Sequence, residues 1–141
     1  MKRLQKKHIL LNLEELINME YTVVEETVKS INAFVKKQLW MDFEFANYNW
    51  YDLIIGGTID TSESDYLIEI RFTDVYYVSL NNGWQSDTSK DVLKILTDSE
   101  VNVLRSSAAI NPDCFVFQFI SDDLITPLVI AAKGISFDGK K

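Results

Sequence analysis

Nucleophilic, acid–base or metal chemistry usually draws on histidine, cysteine or closely spaced carboxylates, and this 141-residue chain holds one histidine, His8, and one cysteine, Cys114. His8 stands among lysines near the start of the chain, with no companion at a useful spacing, so neither a Ser-His-Asp relay nor a histidine-ligated metal is expected. Cys114 opens the apolar run Cys114-Phe115-Val116-Phe117. There it reads as a packing residue, and a lone cysteine offers neither a disulfide framework nor a CxxC pair. Carboxylates gather in two polar segments, Asp60, Glu63 and Asp65 in one and Asp122-Asp123 in the other. Neither follows the DxDxDG order of a calcium loop. Gly56-Gly57 follows an apolar run as a phosphate loop would, yet neither GxxxxGK[ST] nor GxGxxG completes it. No catalytic residue, cofactor or metal is therefore expected, and the chain reads as non-enzymatic. The alternative is a small enzyme or ligand-binding domain that works through carboxylate and tyrosine side chains, which can move protons without histidine.

Charge narrows the choice of partner. Fourteen Lys and Arg against 21 Asp and Glu leave a net charge of −7. Such a field repels phosphate backbones and anionic lipid, so neither nucleic acid nor a membrane surface is the expected partner. A basic protein is the natural one, although acidity also serves solubility alone. The basic start, Met1 to Lys7, resembles a signal n-region, but the apolar stretch Ile9-Leu10-Leu11 is too short for an h-region or a span. A reducing, cytoplasmic setting is expected. Aromatic residues supply possible anchors: Trp40, Trp50, Trp84, Tyr48, Tyr51, Tyr76 and Tyr77 stand near strand ends and turns, and Trp and Tyr dominate interface hot spots. Carboxylates at predicted turns with an aromatic beside them give the candidate contacts Asp60, Glu63, Asp65, Asp74, Trp84 and Asp87.

These residues need a scaffold, and the hydrophobic periodicity supplies one. Asn12 with Glu15, and Thr22 with Glu25, have the spacing of capping boxes, which predicts a short helix over about 13–19 and a second over 22–39. In the second, Val24, Val28, Ile31, Val35 and Leu39 form one apolar stripe, with Asn32 among the residues off it. From Trp40 the period changes to two. Strands are predicted at 40–46, at 53–59, at 66–72 and from Val75 to Leu80, with Asp74 marking a turn or a bulge. Asn81-Asn82-Gly83 is a turn signal, and Ser86 or Asp87 is placed to cap a helix through Val92, Leu93 and Leu96, with a further turn or two about Val101 and Leu104. Phe115, Phe117 and Phe119 alternate as another strand, and a last one follows over 128–135. Glu69 and Arg71 share a strand face and are expected to pair there.

Helices first, then sequential strands with one helical excursion, predict a single α+β domain, 1–141, whose N-terminal helices pack on a mostly antiparallel meander sheet. A self-associating domain, a homodimer through an exposed sheet face, is a further possibility. The run from Tyr66 to Leu80, with Trp84 after it and Val129-Ile130-Ala131-Ala132-Lys133-Gly134-Ile135 near the end, resembles small immunity proteins of bacterial polymorphic-toxin systems. Those are short, single-domain, often acidic proteins that act without catalysis by occluding a cognate toxin. The resemblance implies a class of function, occlusion of a cognate toxin, and no residue-level roles; the net charge adds the expectation that such a toxin is basic.

Overall fold

A computed structural model describes residues 2–60, 65–108 and 110–140, with side chains described outside residues 2–14, 107 and 108. Helix α1 spans Lys2–Val35 and is followed by strands β1 (Trp40–Tyr48), β2 (Leu53–Thr58), β3 (Ile68–Ser79), β4 (Gly83–Asp87) and β5 (Leu93–Ile95). Helix α2 (Asp98–Ala108) precedes β6 (Phe115–Phe119) and β7 (Leu128–Gly139). The seven strands form one antiparallel sheet in the order β4-β1-β2-β3-β7-β6-β5. The α+β class is thus as expected. The meander is broken in two: β1-β2-β3 and β5-β6-β7 are each sequential, and the long strands β3 and β7 join them.

Curling follows from connectivity. β4 and β5 are the opposite edges of the sheet, yet only residues 88–92 link them. Such a link reaches about 20 Å, whereas the edges of a flat seven-stranded sheet lie about 29 Å apart. The sheet must bend toward closure. A seam completes it where the chain leaves β6: Ile120 N–H donates to Val92 O at 2.8 Å, Asp122 N–H to Gln85 O at 3.0 Å, and Ser86 Oγ to Ile120 O at 2.5 Å.

The concave face holds the main core. Val24, Val28, Ile31 and Val35 of α1 join Met41, Phe43, Ile55, Ile70, Phe72, Phe117 and Phe119 in one buried cluster. The predicted stripe therefore packs as expected, up to Val35. Leu39 does not: it lies past the helix end and is 92% exposed. A smaller cluster on the other face sets Val101 and Leu104 of α2 against Cys114, Val116, Val129, Ala131 and Tyr77. Cys114 is buried there, which pushes its thiol pKa up, and packing is its evident work.

Several local expectations are corrected. Two N-terminal helices are one, because neither Asn12 nor Thr22 interrupts it; Thr22 Oγ1 instead donates back to Asn18 O at 2.8 Å, as a mid-helix threonine can. The segment expected to form a helix from Ser86 to Leu96 is β4, a turn and β5, and the helix begins only at Asp98. Its N-terminus is a capping box: Glu100 Oε1 accepts from Thr97 N–H at 2.9 Å while Thr97 Oγ1 faces Glu100 N–H at 3.4 Å. Asp74 is the bulge option, held at φ 51° within a continuous β3 whose register against β7 shifts between Val75 and Tyr77. Arg71 pairs across strands with Asp52 at 3.0 Å, and its expected partner Glu69 is not in that ion pair. Among the described residues no helix is long and apolar enough to cross a membrane.

Candidate functional site

Alternation along β1 puts Met41 and Phe43 into the core and turns Asp42 and Glu44 to the convex face. Register then decides their neighbours. Gln85 of β4 and Thr58 of β2 stand opposite Asp42, and Gly83 and Gly56 stand opposite Glu44. The two glycines leave a low floor on either side of Glu44. A Cβ on Gly56 would meet the Tyr66 ring at 2.4 Å, so the ring lies directly over that glycine. Tyr66 Oη donates to Glu44 Oε1 at 2.6 Å. Bonding to a carboxylate, with burial and the charges of Glu44 and Glu69, pushes the phenol up to about 12, so it remains a neutral donor at any physiological pH.

The closing seam brings a further acid. Asp123 Oδ1 accepts from Ser121 Oγ at 2.5 Å and from Gln85 N–H at 3.4 Å, which holds its carboxyl below the usual range. Asp42 moves the other way: burial first, and then the charge of Asp123, raise its pKa. Asp65, from the loop between β2 and β3, completes a cavity of about 460 Å³ with Asp42, Glu44, Tyr66, Gln85 and Asp123 in its wall. None of the lining residues is Lys or Arg. Lys140 reaches the rim, its Nζ 3.5 Å from Asp65 Oδ2.

Four carboxylates in the wall of a half-open trough, with a tyrosine hydroxyl and a glutamine side chain, give it the chemistry to accept a cation. A guanidinium or ammonium head is the matching chemistry, since each offers several donors to ionised acceptors. No group of three or more His, Cys, Asp or Glu among the described residues is arranged to hold a metal ion.

The residues singled out from sequence fare unevenly. Asp65 lies in the trough. Asp87 is on the same convex face, one step beyond Gln85 and opposite Trp40, but its carboxylate accepts from Ser89 N–H at 2.9 Å and Ser89 Oγ at 2.7 Å, which lowers its pKa. Asp60 begins the loop, where its backbone carbonyl accepts from Thr58 Oγ1 at 2.9 Å. Glu63 lies outside the described residues. Asp74 is removed from the others, six residues into β3 from Ile68 and so about 20 Å along the strand. Trp84 is corrected outright. It touches the cavity wall, but it is 3% exposed, stacked on Phe43 with centroids 5.8 Å apart and 5.0 Å from Phe119, so it is a core residue and not a surface anchor.

Asp42, Glu44, Tyr66 and Asp123 were missed as a group. The wet face of β1 and the glycines of β2 were visible signals, but the register and the seam that join them were not. No family model, no curated protein and no solved structure matches this chain.

Proposed function

We propose that this chain is a non-enzymatic protein-binding domain whose convex trough takes up a lysine or arginine side chain of a basic protein, in the manner of an immunity protein that occludes a basic toxin. The convergence of Asp42, Glu44, Asp65 and Asp123 on one cavity without a lining cation carries the reading. The net charge of −7 agrees with it, because a field of one sign draws an oppositely charged partner from beyond contact distance.

The test is a pull-down from the native host with the wild-type chain and with an Asp42→Asn/Glu44→Gln variant, followed by binding kinetics on what is captured. A basic partner, held by the wild type and released by the variant, with association slowing as salt rises, is the expected result. An acidic partner, or one indifferent to both salt and the variant, excludes the model. A second reading rests on the size of the trough, which is within the range of small-molecule sites. If it takes a free organic cation instead, calorimetry with an alkylguanidine detects saturable binding that the same variant abolishes, and no protein is retained.

A further inference from the structure

The ring of Tyr66 lies face down on Gly56. Its Cδ1, Cε1 and Cζ stand 2.4, 2.4 and 2.5 Å from the point where a Cβ on that glycine would be. A point equally distant from three consecutive ring atoms lies on the axis of the ring, so the glycine is beneath the ring face and not at its edge. The ring is also fixed from two sides. Tyr66 Oη donates to Glu44 Oε1 at 2.6 Å, and the next residue is held by its backbone, with Leu67 N–H donating to Gly57 O and Leu67 O accepting from Lys140 N–H, each at 2.8 Å. Gly56 occupies one face of the ring, and the other face is left for the trough that Tyr66 lines. A platform held in place before binding loses little freedom when a ligand settles on it.

Register sets a carboxylate on either side of that ring. Glu44 on β1 and Glu69 on β3 both stand opposite Gly56, one strand away in each direction. Their backbones are therefore about 10 Å apart, with the ring between them. Both residues are exposed, and the charge of each bears on the phenol. Neither is in an ion pair among the described residues; Arg71 is engaged by Asp52 at 3.0 Å, and Lys140 by Asp65 at 3.5 Å. An aromatic floor between two unpaired acceptors distinguishes one cation from another. A guanidinium is planar and weakly hydrated, stacks on aromatic faces, and carries N–H donors around its edge. An ammonium is a compact, strongly hydrated point charge with no plane to lay on the ring.

We propose that the partner side chain taken up here is an arginine, its guanidinium stacked on the outer face of Tyr66 with its edges toward Glu44 and Glu69, and that Tyr66 sets the preference for arginine over lysine. This rests on the reading of the trough as a cation site for a basic protein, and it names the cation. Nuclear magnetic resonance titration of the isotope-labelled chain with N-acetyl-arginine amide and N-acetyl-lysine amide tests it. The wild type is expected to bind the arginine probe about fivefold more tightly than the lysine probe. The δ-methylene protons of the bound arginine should also move upfield, since protons over an aromatic face are shielded. Tyr66→Leu should remove both the preference and the upfield shift, whereas Tyr66→Phe, which keeps the ring and loses the hydroxyl, should retain them. Glu69→Gln should weaken arginine binding about threefold while the shift persists. A preference that survives Tyr66→Leu, one lost equally in Tyr66→Phe, or arginine binding indifferent to Glu69→Gln would each overturn the assignment. If both probes bind alike and Asp42→Asn/Glu44→Gln abolishes both, the trough still takes a cation and only the choice of arginine fails. If neither probe binds, the assignment and the cation site fail together.

Discussion

The side chain of Asn32 pairs with the backbone of Leu93 as a neighbouring strand would. Its Nδ2 donates to Leu93 O at 2.9 Å, and its Oδ1 accepts from Leu93 N–H at 3.1 Å and from Val92 N–H at 2.8 Å. β5 is an edge strand, and α1 covers that edge, so water is excluded from backbone groups that still need partners. One buried amide supplies three of those bonds and fixes the register between helix and sheet. Asn32→Leu is expected to cost about 3–5 kcal/mol, because it orphans two donors and an acceptor that cannot reach solvent. Asn32→Asp, which keeps the acceptor but loses the donor and buries a charge, should be no milder. Denaturant midpoints measure both; a loss below about 1 kcal/mol for Asn32→Leu would mean that water replaces the amide.

Asn32 also marks where sequence reasoning stops. The apolar stripe of α1 was legible because Val24, Val28, Ile31 and Val35 repeat with the helical period and all four are buried. Asn32 lies beside that stripe and looks like an ordinary polar residue, since nothing local indicates that a strand edge will stand opposite it. The strands from Trp40, Leu53, Ile68, Phe115 and Leu128 were legible through alternation. β4 and β5 were not: Gly83–Asp87 and Leu93–Ile95 are too short for a period to declare itself, and Asp87 looked like a helix cap. The trough suffers the same limit twice over. Asp42 and Asp123 are 81 positions apart in sequence and meet only because the sheet curls and the 120–123 segment closes on β4. Curling, in turn, depends on strand order, which periodicity does not encode.

Glu100 sets an acid limit on α2. Its carboxylate accepts from Thr97 N–H and from Lys94 Nζ, and these bonds lower its pKa from 4.5 to about 2. A carboxyl whose folded pKa is depressed contributes stability above its unfolded pKa and loses it as pH falls through the folded one. The contribution should therefore be complete above about pH 5 and gone near pH 2. Glu100→Gln keeps an acceptor for Thr97 but not the charge. The melting temperature of this variant should lie below that of the wild type at pH 6 and converge with it toward pH 2; curves that stay parallel across that window would show that the bonds do not depend on ionisation.

Trp50 holds a left-handed backbone at φ 80° in the turn between β1 and β2, with its indole 86% exposed. An L residue there costs about 1–2 kcal/mol relative to glycine, and an exposed indole has little packing to set against it. The turn is otherwise well made, with Asn49 Oδ1 accepting from Asp52 N–H at 2.9 Å. Trp50→Gly is expected to raise stability by about 0.5–1 kcal/mol, less than the full strain because glycine also loosens the unfolded chain. Chemical denaturation of the two proteins side by side checks it, and a destabilised variant would show that the indole is held by contacts it does not make here.

Asp42 offers the sharpest test of the trough, because stability and binding should move in opposite directions. Burial and the nearby charge of Asp123 raise its pKa above the ordinary 3.8. A group whose folded pKa is raised contributes stability that is complete below the unfolded pKa and is lost as pH rises through the folded one. At neutral pH the ionised Asp42 is thus a net burden on the fold. Asn has the same shape without the charge, so Asp42→Asn should melt above the wild type at pH 7, and the difference should vanish below about pH 4, where the wild-type carboxyl is protonated. Partner binding should fall about fivefold or more in the same variant, as expected when a part-exposed ion pair worth ~1 kcal/mol is removed. Asp123→Asn is the control. Its carboxylate is held by Ser121 and Gln85 and its pKa is lowered, so the same change there should destabilise at neutral pH. A gain in stability at Asp42 together with a loss of affinity would mean that the carboxylate is kept for the cation it meets. Lower stability at pH 7 would mean that Asp42 already has its counter-charge within the fold, and the trough would lose its strongest claim to a basic partner.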